Sequence, residues 1–385
     1  MAKKKNIVEI FGNFRDISTL GIASIASSVI GGLFWLFLAG LIGAEIYGEI
    51  SYIIAIAGIA ATISYIGAGN TLIVFTTKGE KIQAPVSLIT IVLSSLASIV
   101  LFLMFFDAGA SLYVIGFVVF GLVSSELLGR KDYTKYSIYI ISQRLIMAAL
   151  GILFYFIIGT EGVILGIGIS FFPYSFRLFK LFKNSKLDFQ LLQSKKKFMI
   201  NSYMLDLRGV FAGSIDKIII VPLLGFFVLG NYQLGIQIFS VLLILPTIVF
   251  QYTVPQNASG NQNSKLKLIT ILISIGFSAL SIFLAPQILP TLFPEFVEAV
   301  QVVQIMSLAV VPSTVVLMYL SRFLGEEKNK IMVLGTVIYL IIQISGIMIL
   351  GKMYGINGVA AAIVLASSGE AIYFIVLDKL KGRDF

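Results

Sequence analysis

Long apolar runs recur along the whole chain, separated by short polar gaps. A helix needs roughly 20 mostly apolar residues to cross a bilayer. The runs are solidly apolar rather than alternating, which points to helices and away from a sheet barrel. The pattern predicts twelve spans: Ile17–Ile42, Glu49–Phe75, Ala84–Phe106, Ala108–Gly129, Tyr136–Ile158, Gly162–Leu181, Met199–Leu224, Gly230–Tyr252, Leu268–Leu289, Ala299–Phe323, Ile331–Gly351 and Ile356–Leu377.

Charge gives the spans a direction. Of 28 lysines and arginines, all but Arg144, Arg208, Lys217 and Lys352 fall at the two termini and in every second gap. The other gaps hold Lys352 and six acids: Glu45, Glu49, Asp107, Glu161, Glu295 and Glu298. Cationic loops resist translocation, so both termini are expected on the cytoplasmic side of the plasma membrane of a prokaryote. The first apolar stretch follows polar residues and is too long for a cleavable signal, so it reads as a permanent anchor.

Composition narrows the chemistry. Hydrophobic residues make up 58% and charged residues 12%, and the mean hydropathy is +0.99. The net charge of +9 faces the anionic inner leaflet, so no nucleic-acid partner is expected. With no Cys and no His, thiolate and imidazole catalysis and the usual zinc or haem sites are excluded, and no metal or cofactor is expected. Loops are short, there is no G-x-x-x-x-G-K phosphate loop, and no acid cluster marks a membrane enzyme.

The longest polar interval, Lys183–Lys197, divides the chain into two halves of six spans, 1–190 as an N-lobe and 191–385 as a C-lobe. Gly43 and Gly48 match Gly225 and Gly230 at an offset of 182, and Gly162-Val163 matches Gly358-Val359 at 196, so about 14 residues are inserted between. Halves with an even number of spans lie parallel in the membrane. The interval itself mixes Leu187, Phe189, Leu191 and Leu192 with lysines, which suits either an interfacial helix or a solvated connector.

Six charged residues lie within spans: Arg144, Arg208, Lys217, Asp206, Asp216 and Glu370. Each costs roughly 2.5–3.5 kcal/mol at mid-bilayer, so such groups face a cavity or a partner. Four are on the seventh span, where Asp206 and Lys217 lie about 20° apart and Arg208 some 160° away. One cavity cannot receive all four unless the helix bends, and Gly209 and Gly213 permit that. Asp216–Lys217 also reads as a packing ion pair, Arg144 as a side chain snorkelling from about 10 Å depth, and Glu126 as an ordinary interfacial acid. Pro222, Pro246, Pro255 and Pro312 are placed to kink second-half helices. Gln143, Gln237, Gln251, Gln301, Gln304 and Gln343 suit either a sugar-binding cavity or helix-to-helix hydrogen bonds.

Three segments carry a resemblance. Ser214-Ile215-Asp216-Lys217 with Leu224-Gly225 and Gly230-Asn231-Tyr232 resembles the seventh-span signature of oligosaccharide flippases of the O-antigen type. Gly67-Ala68-Gly69-Asn70 is similar to the break ending their second span. Leu292-Phe293-Pro294 through Ala299 is similar to the segment opening their tenth, with Pro294 where a glycine is usual.

These proteins are the polysaccharide branch of the multidrug/oligosaccharidyl-lipid/polysaccharide exporter superfamily. The resemblance implies an all-α integral membrane fold of about twelve helices, in two six-helix parallel pseudo-repeats forming a V around a central cavity with alternating access. It implies a flippase, not an enzyme, moving a polyprenyl-(pyro)phosphate-linked oligosaccharide among membrane lipids, alongside the glycosyltransferases or polymerase of the same pathway. Arg144, Arg208 and Lys217 are then the candidate substrate-binding cations, and Asp206, Asp216 and Glu370 the candidates for coupling or ion pairing. Peptidoglycan-precursor members typically have fourteen spans. The alternative is a cation-coupled exporter of drugs or small amphiphiles, although the first span carries no carboxylate after Asp16.

Overall fold

The computed structural model describes residues 2–184, 187–258, 263–326 and 328–380. Side chains are described from Thr19 onward, except at 181–184, 205, 208–212, 255, 258, 325 and 329. All regular structure among these residues is helical. The α-helices run α1 (Ala2–Ile42), α2 (Ala44–Tyr65), α3 (Ala68–Thr77), α4 (Gln83–Phe105), α5 (Ala108–Gly129), α6 (Tyr133–Ile158), α7 (Thr160–Ile169) and α8 (Ser175–Asn184). They continue α9 (Phe189–Ser194), α10 (Lys196–Leu224), α11 (Phe226–Leu242), α12 (Ile244–Ala258), α13 (Ser264–Leu292), α14 (Ala299–Ser307), α15 (Val310–Gly325) and α16 (Asn329–Leu380).

Each expected span falls on one helix or on a pair of consecutive ones. Eight described helices are long and apolar enough to cross a membrane, and two bent pairs, α11–α12 and α14–α15, qualify when each is taken together. The 52-residue α16 holds two expected spans, divided at Gly355 (φ 58°, ψ −138°). The remaining expected span lies on α10. This is a multi-pass membrane protein.

Some prolines mark where rods break, whereas Pro222 in α10 and Pro286 and Pro290 in α13 lie inside helices that continue through them. Proline has no N–H and its ring clashes with the carbonyl four residues back. The 48° bend between α11 and α12 and the 44° bend between α14 and α15 lie at Leu243 and Leu308–Ala309, next to the positions four before Pro246 and Pro312. Likewise α7 stops at Ile169, four before Pro173. The second span breaks differently. Ile66 (φ 42°) and Gly67 (φ 74°) both adopt left-handed backbone, and a Cβ at Gly67 would crowd the backbone of Met199 and Tyr203 on α10.

Local geometry repeats between the halves. Thr90, Ser94 and Ser98 on α4 return hydrogen bonds to the carbonyls of Val86, Ile91 and Ser111, at 2.9, 3.0 and 2.9 Å. Thr270, Ser274 and Ser278 on α13, each 180 positions later, do the same to Leu266, Ile271 and Ser307, at 2.8, 2.7 and 2.6 Å. The offset becomes 196 beyond this point, as Ser111 and Ser307 show. The extra residues of the second half therefore lie between Ser278 and Ser307, in the longer α13 and the segment 293–298. At offset 196, Gly159 and Gly355 both have positive φ. A Cβ at Gly162 would overlap the Phe154 carbonyl oxygen, and one at Gly358 the Leu350 carbonyl oxygen, again 196 apart. Such close approaches need glycine.

By Cα proximity the chain forms two compact units, one of Met1–Phe34 with Ile53–Ser214 and one of Trp35–Tyr52 with Ile215–Phe385. The units are thus not identical with the repeats. The turn between α1 and α2 packs in the second unit, and the first part of α10 in the first. In the first unit α5 is the central rod, touching α3, α4 and α7. In the second, α11, α14 and α16 enclose a dry core of Ile220, Leu229, Tyr232, Val302, Met306 and Ile363.

Candidate functional site

The second unit holds a buried polar chain. Asp216 on α10 is 4% exposed and accepts a 2.6 Å hydrogen bond from the Tyr232 hydroxyl on α11. Its other oxygen accepts from the Lys217 backbone N–H at 2.8 Å and lies 3.4 Å from the Lys217 ammonium. Gln343, on the first part of α16, is within hydrogen-bonding reach of Tyr232, and its own side-chain oxygen is buried without a partner. One turn earlier, Tyr339 is the group on which both Asp216 and Glu370 act electrostatically. Glu370, on the second part of α16, is buried with one carboxylate oxygen over Gly335. Asp216, Lys217, Tyr232 and Gln343 thus form a bonded cluster, with Tyr339 and Glu370 of α16 within its electrostatic reach. The glycine at 335 makes room for Glu370, since any side chain there would meet that carboxylate and the Phe374 ring.

In the first unit, Arg144 on α6 lies across Gly31 of α1, where a Cβ would sit 3.9 Å from its Cδ and Nε atoms. One guanidinium nitrogen donates to the Met147 sulfur at 3.6 Å, and Tyr113 of α5 is within its electrostatic reach. No carboxylate pairs with it among the described residues. Nearby hydroxyls and amides are tied together: Gln143 donates to Ser170 at 3.2 Å, and Ser142 meets the Tyr174 hydroxyl at 2.7 Å. At offset 196, Tyr174 stands where the second half has Glu370.

Asp206, on the first-unit part of α10, has a buried oxygen without a hydrogen-bond partner and acts on Tyr65, which is bonded to Ser125 at 3.1 Å. The side chain of Arg208 lies outside the described residues. Of the six residues singled out from the sequence, the structure brings Asp216, Lys217 and Glu370 into one cluster and places Asp206 and Arg144 in the other unit. On α10, Asp206 lies before Ser214, in the first unit, and Asp216 and Lys217 after it, in the second.

Tyr339 and Tyr113 were not singled out, because a tyrosine in an apolar span carries no charge signal, and Tyr232 stood out only within the flippase-like signature. Glu126 also differs from expectation. It is 1% exposed and bridges Arg130 and Arg177, the latter at 2.8 Å. Two guanidinium groups compensate the buried carboxylate there. In the second half, Arg322, 196 positions later, is equally buried and pairs with Asp378 at 3.0 Å and Glu326 at 3.0 Å. The polarity of the pair is reversed between repeats.

No protein-family model matches the chain, and no curated protein matches it in sequence. Solved structures do match in fold. A multidrug resistance MATE family transporter of the MOP superfamily, in an inward-facing conformation, aligns with a TM-score of 0.71 at 14% identity, covering 93% of this chain and 94% of that one. The lipid II flippase MurJ, in an inward closed conformation, aligns at 0.73 and 14%, covering 94% of this chain and 87% of that one. A MOP superfamily transporter from Pyrococcus furiosus, described as having a binding pocket of reverse polarity, aligns at 0.61 and 14%, over 95% of both chains. The chain has the all-helical fold of these transporters.

Proposed function

We propose that this chain is a flippase that carries a lipid-linked oligosaccharide across the cytoplasmic membrane by alternating access. Arg144 is the observation that carries the reading. A guanidinium held inside a span, over a glycine and without a carboxylate partner among the described residues, is costly at rest. An anionic ligand relieves that cost when it binds. Guanidinium grips phosphate oxygens bidentately, which suits a polyprenyl pyrophosphate linker. The Tyr113 hydroxyl within its electrostatic reach suits a saccharide, whose own hydroxyls cost kcal/mol each when buried unpaired. The lipid II flippase among the fold neighbours acts on a lipid-linked cargo and lends support.

In this reading Arg144, Arg208 and Lys217 meet the charged head group. Asp206, Asp216 and Glu370 are the groups whose protonation or pairing couples the cycle to an energy source. The basic gaps and both termini face the cytoplasm, where glycosyltransferases or a polymerase of the same pathway make or use the cargo.

A second reading is a cation-coupled exporter of small amphiphiles. The two buried carboxylates that act on Tyr339, Asp216 and Glu370, favour it, as do the MATE transporters among the fold neighbours. Deleting the gene and measuring the lipid-linked oligosaccharide left on the cytoplasmic leaflet separates the two. Accumulation reversed by the wild-type chain but not by Arg144→Ala supports the flippase. Unchanged oligosaccharide, with new sensitivity to cationic drugs, supports the exporter.

A further inference from the structure

The segment joining the two repeats carries seven cations between Arg177 and Lys197 against one acid, Asp188. It is clamped to the first unit at both ends. Arg177 pairs with the buried Glu126, and Lys195 pairs with Glu80 at 2.9 Å and sits 4.7 Å above the Phe75 ring. Around those clamps its apolar side chains face two ways. Tyr174, just before α8, and Leu178 on α8 are buried, while Phe176 and Phe179 on α8 are 78% and 73% exposed. At about 100° per residue the two phenylalanines lie about 60° apart, and Leu178 lies about 130° from their mean direction. Lys180 stands on the outer face beside them. On α9, Leu192 is buried, whereas Leu187 and Phe189 are exposed just before Lys195, Lys196 and Lys197.

An outward apolar face bordered by lysines, continuous with a helix that ends a membrane span at Lys180, has one fitting environment. We propose that this connecting segment is a binding site for anionic phospholipid. Phe176, Phe179, Leu187 and Phe189 insert into the acyl boundary, and the exposed Lys180, Lys196 and Lys197 contact phosphate head groups of the inner leaflet. Each exposed cation contributes roughly a fivefold preference for an anionic surface, reduced by salt. The segment thus ties the first unit to anionic lipid, whatever cargo the protein carries. It rests on the orientation that puts the basic gaps in the cytoplasm.

The chain has no native cysteine, so nitroxide labels can be placed singly at Phe176→Cys, Phe179→Cys, Leu187→Cys and Phe189→Cys in the full-length protein. Vesicles of phosphatidylcholine, with and without one third phosphatidylglycerol, supply the two surfaces. Collision rates with oxygen and with a water-soluble nickel chelate report depth. All four labels should be lipid-embedded with phosphatidylglycerol. At 187 and 189 the oxygen-to-nickel ratio should fall severalfold in phosphatidylcholine alone, in 0.5 M salt, or in a K196E/K197E background. Labels at 187 and 189 that remain water-accessible in both lipids would overturn the proposal, leaving a solvated connector. Equal embedding in both lipids, insensitive to salt, would also overturn it, leaving an apolar anchor without head-group recognition. Flipping assays are independent of either result.

Discussion

Gly230 lies so close to Ala44 that a methyl group on its Cα would overlap the Ala44 carbonyl oxygen. The relation is reciprocal: a Cβ at Gly48 would overlap the carbonyl oxygen of Phe226. Both pairs, Gly48 with Gly230 and Ala44 with Phe226, are separated by 182 positions. Equivalent turns of the two repeats therefore pack on each other backbone to backbone, within the second unit. Tyr47 seals the contact between the rings of Trp35 and Phe296. Segment 293–298, part of the second-half insertion, covers the same turn, with Glu295 against Gly43 and Phe293 against Gly40.

Gly230→Ala and Gly48→Ala should each destabilise the protein by about 1–3 kcal/mol, because the obstructing atoms are backbone and cannot swing aside. Gly32→Ala and Gly58→Ala, where nothing lies within 4 Å, should be neutral or slightly stabilising through helix propensity. Melting temperatures of the purified protein in one detergent check both halves of the comparison.

Glu126→Gln should be among the most damaging single changes outside the apolar core. It leaves Arg177 and Arg130 without their buried countercharge, and since both keep access to solvent the loss should be about 1–3 kcal/mol. Arg322→Met should behave the same way by stranding Asp378. A melting temperature within a degree or two of wild type for either variant would count against this account of the charged helix ends.

Asp216→Asn removes the charge that Lys217 and Tyr232 share. The single variant should destabilise by about 2 kcal/mol or more, and adding Lys217→Met should recover part of that loss, since the ammonium no longer needs a partner. Simple additivity of the two changes in a thermal-shift cycle would show that the pair is not coupled.

Glu326 lies between spans, where burial raises its carboxyl but hydrogen bonds from Lys328 and Arg322 outweigh that and hold it below the ordinary 4.5. A depressed folded value stabilises the protein above the ordinary range, and the contribution disappears as pH falls through the depressed value. The melting-temperature gap between wild type and Glu326→Gln should therefore be constant above pH 6 and shrink towards pH 3. A gap independent of pH would contradict the assignment.

Most of the span pattern was legible, because solid apolar runs of helical length have few other uses and the basic gaps alternate. The bends at Leu243 and Leu308 were legible too, through Pro246 and Pro312, three and four residues on. The polar cluster was only half legible. Asp216, Lys217 and Glu370 announce themselves as charges in apolar surroundings, but the placement of Tyr339 between two carboxylates depends on which faces of α16 turn inward. Glu126 was misread for a related reason. Its depth along α5 said interface, whereas its burial is decided by Arg177, fifty-one residues away in sequence. The glycines already implied an insertion between Gly230 and Gly358, and the hydrogen bonds confine it to the stretch between Ser278 and Ser307.

Arg144 carries the functional reading, and its chemistry separates two kinds of variant. Arg144→Lys keeps the charge but loses the bidentate fork. It should retain a minor fraction of export, whereas Arg144→Ala should lose nearly all of it at an unchanged protein level in the membrane. Equal activity in all three would remove Arg144 from the site.

The most direct test reconstitutes the purified protein into vesicles loaded with a polyprenyl-pyrophosphate oligosaccharide labelled on its sugar. A membrane-impermeant reagent then quenches whatever label reaches the outer leaflet. The account predicts that half of the label is protected in protein-free vesicles and that protection disappears within minutes when the wild-type chain is present, but not with Arg144→Ala. Protection that persists with the wild-type chain, under an imposed ion gradient of either sign and with the protein shown to be folded, would contradict the assignment of this chain as a flippase.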